Sequence, residues 1–70
     1  MNYKFTAVIT REGKFFVADS PELGVTSQGL SMDEALENLR EAIHLYLKDE
    51  DPAQFALTAS PLVTTIEVAL

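Results

Sequence analysis

The stretch that most constrains this chain is SQGLSMDEALENLREAIHLYLKD, residues 27–49. Met32, Ala35, Leu36, Leu39, Ile43, Tyr46 and Leu47 recur at intervals of three and four, so a helix gathers them into one apolar stripe. Asp33, Glu34, Glu37, Asn38, Arg40, Glu41, His44 and Lys48 fall on the other side. Ser31 followed three positions later by Glu34 reads as a capping box, in which each side chain takes up a backbone donor that the helix start leaves orphaned. No other segment is long enough for a second good helix. The rest of the chain must therefore build the surface that buries this stripe.

The preceding segments read as strands. Residues 2–10, NYKFTAVIT, are rich in aromatic and β-branched side chains, with Tyr3, Phe5, Ala7 and Ile9 on one face. Arg11, Glu12 and Gly13 read as a polar turn, and residues 14–19, KFFVAD, resume the pattern, which is a hairpin signal. Phe15 and Val17 alternate with Phe16 and Ala18, so this second strand is apolar on both faces. Pro21 ends it, because proline has no amide hydrogen to give to a ladder. A short third strand is predicted over residues 25–28, bracketed by Gly24 and Gly29.

After the helix, Asp49, Glu50 and Asp51 run into Pro52. Three acids oppose the dipole at a helix C-terminus, so fraying and a boundary are expected there. Residues 52–61 are a connector that Phe55 and Leu57 tack to the body. Residues 62–70, LVTTIEVAL, alternate well enough to predict a fourth strand. The expected fold is α+β, in the order strand, strand, strand, helix, strand. The fourth strand would pair with the open edge of the first, so one helix covers a four-stranded mixed sheet through a right-handed crossover. The bare face, expected to carry some of Phe16, Ala18, Val8, Val63 and Ala69, predicts self-association.

Size supports that last expectation. A single domain spans residues 1–70, and a chain this short buries only about 60% of its unfolded surface. With no cysteine, neither a disulfide nor a thiolate metal site supplements the core. No stretch reaches the roughly 20 apolar residues that a membrane span needs, and the N-terminus lacks the continuous apolar run of a signal peptide, so a cytoplasmic location is expected. The net charge is -6, and residues 33–51 hold seven acids against Arg40 and Lys48. Such a surface disfavours direct nucleic-acid binding and steers a basic partner toward it.

The order of these features, a hairpin followed by Pro21, Gly24, Gly29, then Met32-Asp33-Glu34-Ala35 and Leu39 with Glu41-Ala42, resembles the HicB family of antitoxins over about two-thirds of the chain. The resemblance implies a fold similar to a truncated ribonuclease H domain, in agreement with the strand order above. It implies a non-enzymatic protein that binds and occludes a small, basic, HicA-type RNA-cleaving toxin. Within that resemblance Pro21, Gly24, Gly29, Ser31 and Ala35 are structural motif positions. Many members add a C-terminal DNA-binding module, and the expectation here is a short form without one. The alternative is a solitary structural or regulatory oligomer, a dimer or tetramer with neither toxin nor catalysis.

Catalytic readings of individual residues are weaker than plain ones. A ribonuclease H chemistry needs carboxylates converging on metal ions, yet the first strand carries no acid. Glu37 and Glu41 lie one helical turn apart, but both belong to the wet face. His44 has no nucleophile beside it, and Ser27 and Ser31 read as turn and cap residues. Asp19 and Glu22 flank the Pro21 turn as a possible general acid–base pair, although solubilising carboxylates are commoner in loops. Tyr3, Phe5 and Phe15 lack the surrounding cations of an RNA-stacking platform, which favours packing. No cofactor, metal or catalytic residue is expected. The candidate partner-binding residues are Asp19, Glu22, Glu34, Glu37 and Glu41.

Overall fold

In the structure, a computed structural model that describes residues 3–55 and 64–70, three strands precede one helix. They are β1 (Val8–Glu12), β2 (Phe15–Ser20), β3 (Val25–Gly29) and α1 (Met32–Tyr46), followed by a single 3-10 turn, Pro52–Gln54. The sheet is an antiparallel meander in the order β1-β2-β3.

The four-stranded mixed sheet expected from the sequence is not formed. Residues 64–70 adopt no strand, and every one of them is exposed; residues 62 and 63 lie outside the described residues. The helix follows the sheet rather than connecting two of its strands. Favourable strand composition did not suffice, because a strand exists only where a neighbour takes up its backbone donors and acceptors. Among the described residues, 64–70 have no such neighbour.

The hairpin shows how pairing sets strand bounds. Glu12 stands opposite Phe15, so the turn is only Gly13 and Lys14. Gly13 has φ 61° and, among the described residues, no non-glycine residue has positive φ, as in a type II′ hairpin with glycine first. Arg11 and Glu12, polar enough to read as turn residues, are therefore the end of β1. The strand starts at Val8 rather than at residue 2.

Register places Ile9 beside Ala18 and Ser27, and Phe16 beside Gly29. This is the face that α1 covers, and it corrects the expected assignment of faces. Ala18 (0% exposed) joins Ala35 and Leu39 in the buried centre, with Ile9, Phe16, Val25 and Ile43 packed around it. Phe16 and Ala18 therefore belong to the covered face, and the opposite face carries Val8, Phe15 and Val17 instead, all half-buried, with Thr10, Thr26 and Gln28. Of the other residues assigned to a bare face, Ala69 is exposed outside the sheet and Val63 lies outside the described residues. Alternation in β2 cannot choose between its two apolar faces. Gly29 makes the choice, since a Cβ there would lie 2.6 Å from the Ala35 amide nitrogen. The helix can settle on this side of β3 because nothing projects from Gly29.

The helix begins as its sequence dictates. The Ser31 hydroxyl accepts from the Glu34 amide (3.1 Å), while the Glu34 carboxylate reaches back to accept from the Leu30 amide (3.2 Å), one residue before the cap. At the other end regular helix stops at Tyr46, short of Asp49, and the chain continues through turns to Asp51. The Asp51 carboxylate caps the 3-10 turn by accepting from the Ala53 amide (3.1 Å), with Pro52 opening that turn. Phe55 meets Tyr46 edge-on, with ring centroids 6.3 Å apart, so the connector is tacked to the helix end as expected; Leu57 lies outside the described residues. Met32 and Tyr46, counted in the apolar stripe, remain about half exposed (51% and 49%).

Candidate functional site

The five candidate acids do not converge on one point. Glu22 sits in the turn between β2 and β3 and faces inward to the chain. Its Oε2 accepts from the Thr6 amide (2.8 Å) and the Thr6 hydroxyl (2.6 Å), and its Oε1 accepts from Ser20 Oγ (3.3 Å). Partial burial pushes the Glu22 carboxyl up. Donors from the Thr6 side chain and amide, its own amide and Ser20 together outweigh that and hold it below its ordinary value of 4.5. Glu22 thus clamps the N-terminal segment to the sheet, and it satisfies Ser20, whose side chain is otherwise sealed from water (0% exposed).

Asp19 points to the sheet's open face, where its Oδ1 accepts from Thr26 Oγ1 across the β2–β3 pair (2.7 Å). Glu34 is engaged in the cap already described. Glu37 forms an i,i+3 ion pair with Arg40 at 2.9 Å in which both side chains are mostly exposed (63% and 77%). Glu41 stands exposed one turn further along the same outer face, beside His44, which is exposed too. Only Glu37 and Glu41 of the five therefore present their charge outward from the helix, and Asp33 joins them there by helical spacing. Among the described residues, no group of three or more His, Asp or Glu side chains could hold a metal ion.

The motif positions all serve the fold. Gly24 has φ 66° and its amide donates to the Ser20 carbonyl (2.9 Å), closing the turn that Pro21 opens. Gly29 admits the helix, Ser31 caps it, and Ala35 lies fully buried against the sheet. Asn38 adds a further tie by donating to the Gln28 carbonyl (2.8 Å), which fixes this side of α1 over β3.

The sequence reading did not single out the cations. Three of the chain's five basic residues, Lys4, Arg11 and Lys14, lie exposed in the N-terminal segment and hairpin. Arg11 is held over the Phe16 ring and Lys14 over the Phe15 ring, each 5.6 Å from the ring centroid. The charge is therefore unevenly distributed along the chain, with three of its five cations in residues 4–14 and seven of its acids in residues 33–51. The signal was present in the crowding of cations into residues 4–14, where the net charge of the whole chain conceals it.

Taken together, these features define a small β-β-β-α domain whose ordered motif builds the fold. No protein-family model matches the chain. It is 41% identical over 66 residues to a UPF0150 protein of Helicobacter pylori strain J99, an alignment that spans 90% of this chain and 92% of that protein. The chain belongs to the UPF0150 family. Among the described residues, no helix is long and apolar enough to cross a membrane.

Proposed function

We infer that this chain is a HicB-like antitoxin, a non-enzymatic cytoplasmic protein that binds a small basic RNA-cleaving toxin of the HicA type and occludes its RNA-binding surface. The observation that carries this reading is the outer flank of α1 with the turn beyond it. Asp33, Glu37, Glu41, Asp49, Glu50 and Asp51 are all exposed there. A field that stays net negative despite Arg40 and Lys48 raises the encounter rate with a basic partner and orients it. The same field repels the phosphates of RNA, so the chain competes for the toxin without competing for its substrate.

The direct test mixes the protein with the product of a neighbouring gene encoding a short basic chain and follows RNA cleavage. Inhibition at a stoichiometric ratio is expected. Cleavage undiminished by excess protein would sink the reading. A Glu37→Lys, Glu41→Lys variant locates the surface: both side chains are solvent-facing, so helical content should hold while inhibition weakens at least tenfold and loses its salt dependence.

A further inference from the structure

Strand character runs from residue 2, yet β1 starts only at Val8, and the reason lies on the partner strand. Val8 stands opposite Asp19, so Ala7 and Thr6 would next meet Ser20 and Pro21. Neither can continue the ladder. The Ser20 carbonyl already accepts from the Leu23 amide (3.2 Å) and the Gly24 amide (2.9 Å), and Pro21 has no amide hydrogen. Residues 3–7 therefore leave the sheet. Among the described residues, their only hydrogen bonds come from the Thr6 amide and the Thr6 hydroxyl, and both end on one atom, Glu22 Oε2. Tyr3, Lys4 and Ala7 are exposed, while Phe5 and Thr6 are half-buried.

We propose that residues 3–7 form a strap latched by Glu22, which opens and closes as a unit while β1, β2, β3 and α1 stay folded. The two parts are tethered differently. β1 is paired with β2 at every position from Val8 to Glu12, and Ala18, Ala35 and Leu39 are buried between sheet and helix. The strap has one hydrogen-bonded anchor and one half-buried ring, which is the profile of a segment that opens at low cost. Its pivot falls at the exposed Ala7, beside the first paired residue. Opening leaves the β2–β3 turn intact, because the bonds that hold that turn involve no strap residue: Ser20 Oγ donates to Glu22 Oε1, and the Leu23 and Gly24 amides donate to the Ser20 carbonyl. Closed, the strap fills Oε2 with two donors. Open, it returns that oxygen to solvent and exposes the rest of the Phe5 ring. A cation that takes Oε2 from outside must displace Thr6, so cation binding at Glu22 and strap opening are linked, and each favours the other.

Native-state amide hydrogen exchange of the full chain reads the strap directly. The Thr6 amide should be protected relative to an unstructured peptide, yet roughly tenfold or more less protected than the Leu39 amide in the middle of α1. Equal protection at Thr6 and Leu39 would overturn the proposal, because the strap would then open only with the whole domain. No protection at Thr6 would overturn it as well, because nothing would then be latched. Thr6→Val isolates the latch: it removes the hydroxyl donor, keeps the backbone amide, and leaves the Ser20–Glu22 bond in place. Protection of the amide at position 6 should fall by roughly threefold or more, with a smaller change or none at Leu39. Unchanged protection at position 6, or a loss matched at Leu39, overturns the proposal. These readouts need no partner, so they stand or fall separately from the antitoxin reading.

Discussion

β3 and residues 64–70 are both short and extended in sequence character, and the poorer of the two is the one that became a strand. VTSQG ends in glycine and carries three polar uncharged side chains, whereas TTIEVAL is rich in β-branched residues. By propensity the order should be reversed. β3 is nonetheless paired residue for residue with β2, from Val25 opposite Ser20 to Gly29 opposite Phe16, because a turn of only four residues delivers it there. It is then locked from above by α1 through Gly29 and Asn38. Intrinsic strand preference spans only about 1 kcal/mol, less than what a fixed register and a covering helix supply. Residues 64–70 have the preference and, among the described residues, lack the partner.

The sharpest test removes the same kind of side chain from the core that α1 builds over β3 and from residues 64–70. Leu39 is 3% exposed at the centre of the core, so Leu39→Ala should cost about 2–5 kcal/mol. In a chain this marginal, that leaves much of the population unfolded, as a urea titration followed by circular dichroism would register. Ile66→Ala should cost nothing in dilute solution, where its side chain stays in water. A concentration-independent loss of similar size from both substitutions would mean that residues 64–70 pack within their own chain.

A smaller effect is expected at the helix–strand contact that decides between the faces of β2. Gly29→Ala places a methyl group 2.6 Å from the Ala35 nitrogen and 2.9 Å from Glu34 Cβ, so the helix must lift from β3. Overpacking of this kind costs about 1–3 kcal/mol. Gly24→Ala meets no atom within 4 Å, and its cost comes from φ 66° alone. Measured together, the two substitutions separate close approach from backbone strain. Equal losses would mean that Gly29 is not the point on which the helix settles.

These contrasts also show what could be read ahead of the structure. The helix, its Ser31 cap and the hairpin were legible, because each is encoded within a few residues by periodicity, capping chemistry or a glycine turn. The covered face of β2 was not, since Phe15, Phe16, Val17 and Ala18 are apolar on both sides, and only the six-residue step from Gly29 to Ala35 discriminates. The fourth strand was over-read because alternation describes a strand's faces and says nothing of who pairs with its edge. Among the candidate acids, charge was legible and engagement was not. Glu37 and Glu41 face outward as their helical positions imply. The role of Glu22 depends on Thr6, sixteen residues away, and no local pattern announces that contact.

Glu22 accordingly gives the last test, and the smallest. It joins the packed unit of β2, β3 and α1 to the N-terminal segment, whose residues 3–7 lie outside any strand. Its carboxyl is held below 4.5 in the folded chain. Between the folded and unfolded values the unfolded state binds more protons, so stability rises with pH across that window. The contribution is present above pH 4.5 and is lost as pH falls through the depressed folded value. Glu22→Gln keeps the shape but weakens the acceptors, and should cost about 1 kcal/mol at neutral pH. The variant's disadvantage should shrink as the wild-type carboxyl is protonated, because both chains then present a neutral group to Thr6. Stability measured by urea unfolding from pH 7 to pH 3 follows the difference. A gap that stays constant over that range would show that the Thr6 clamp does not depend on the Glu22 charge.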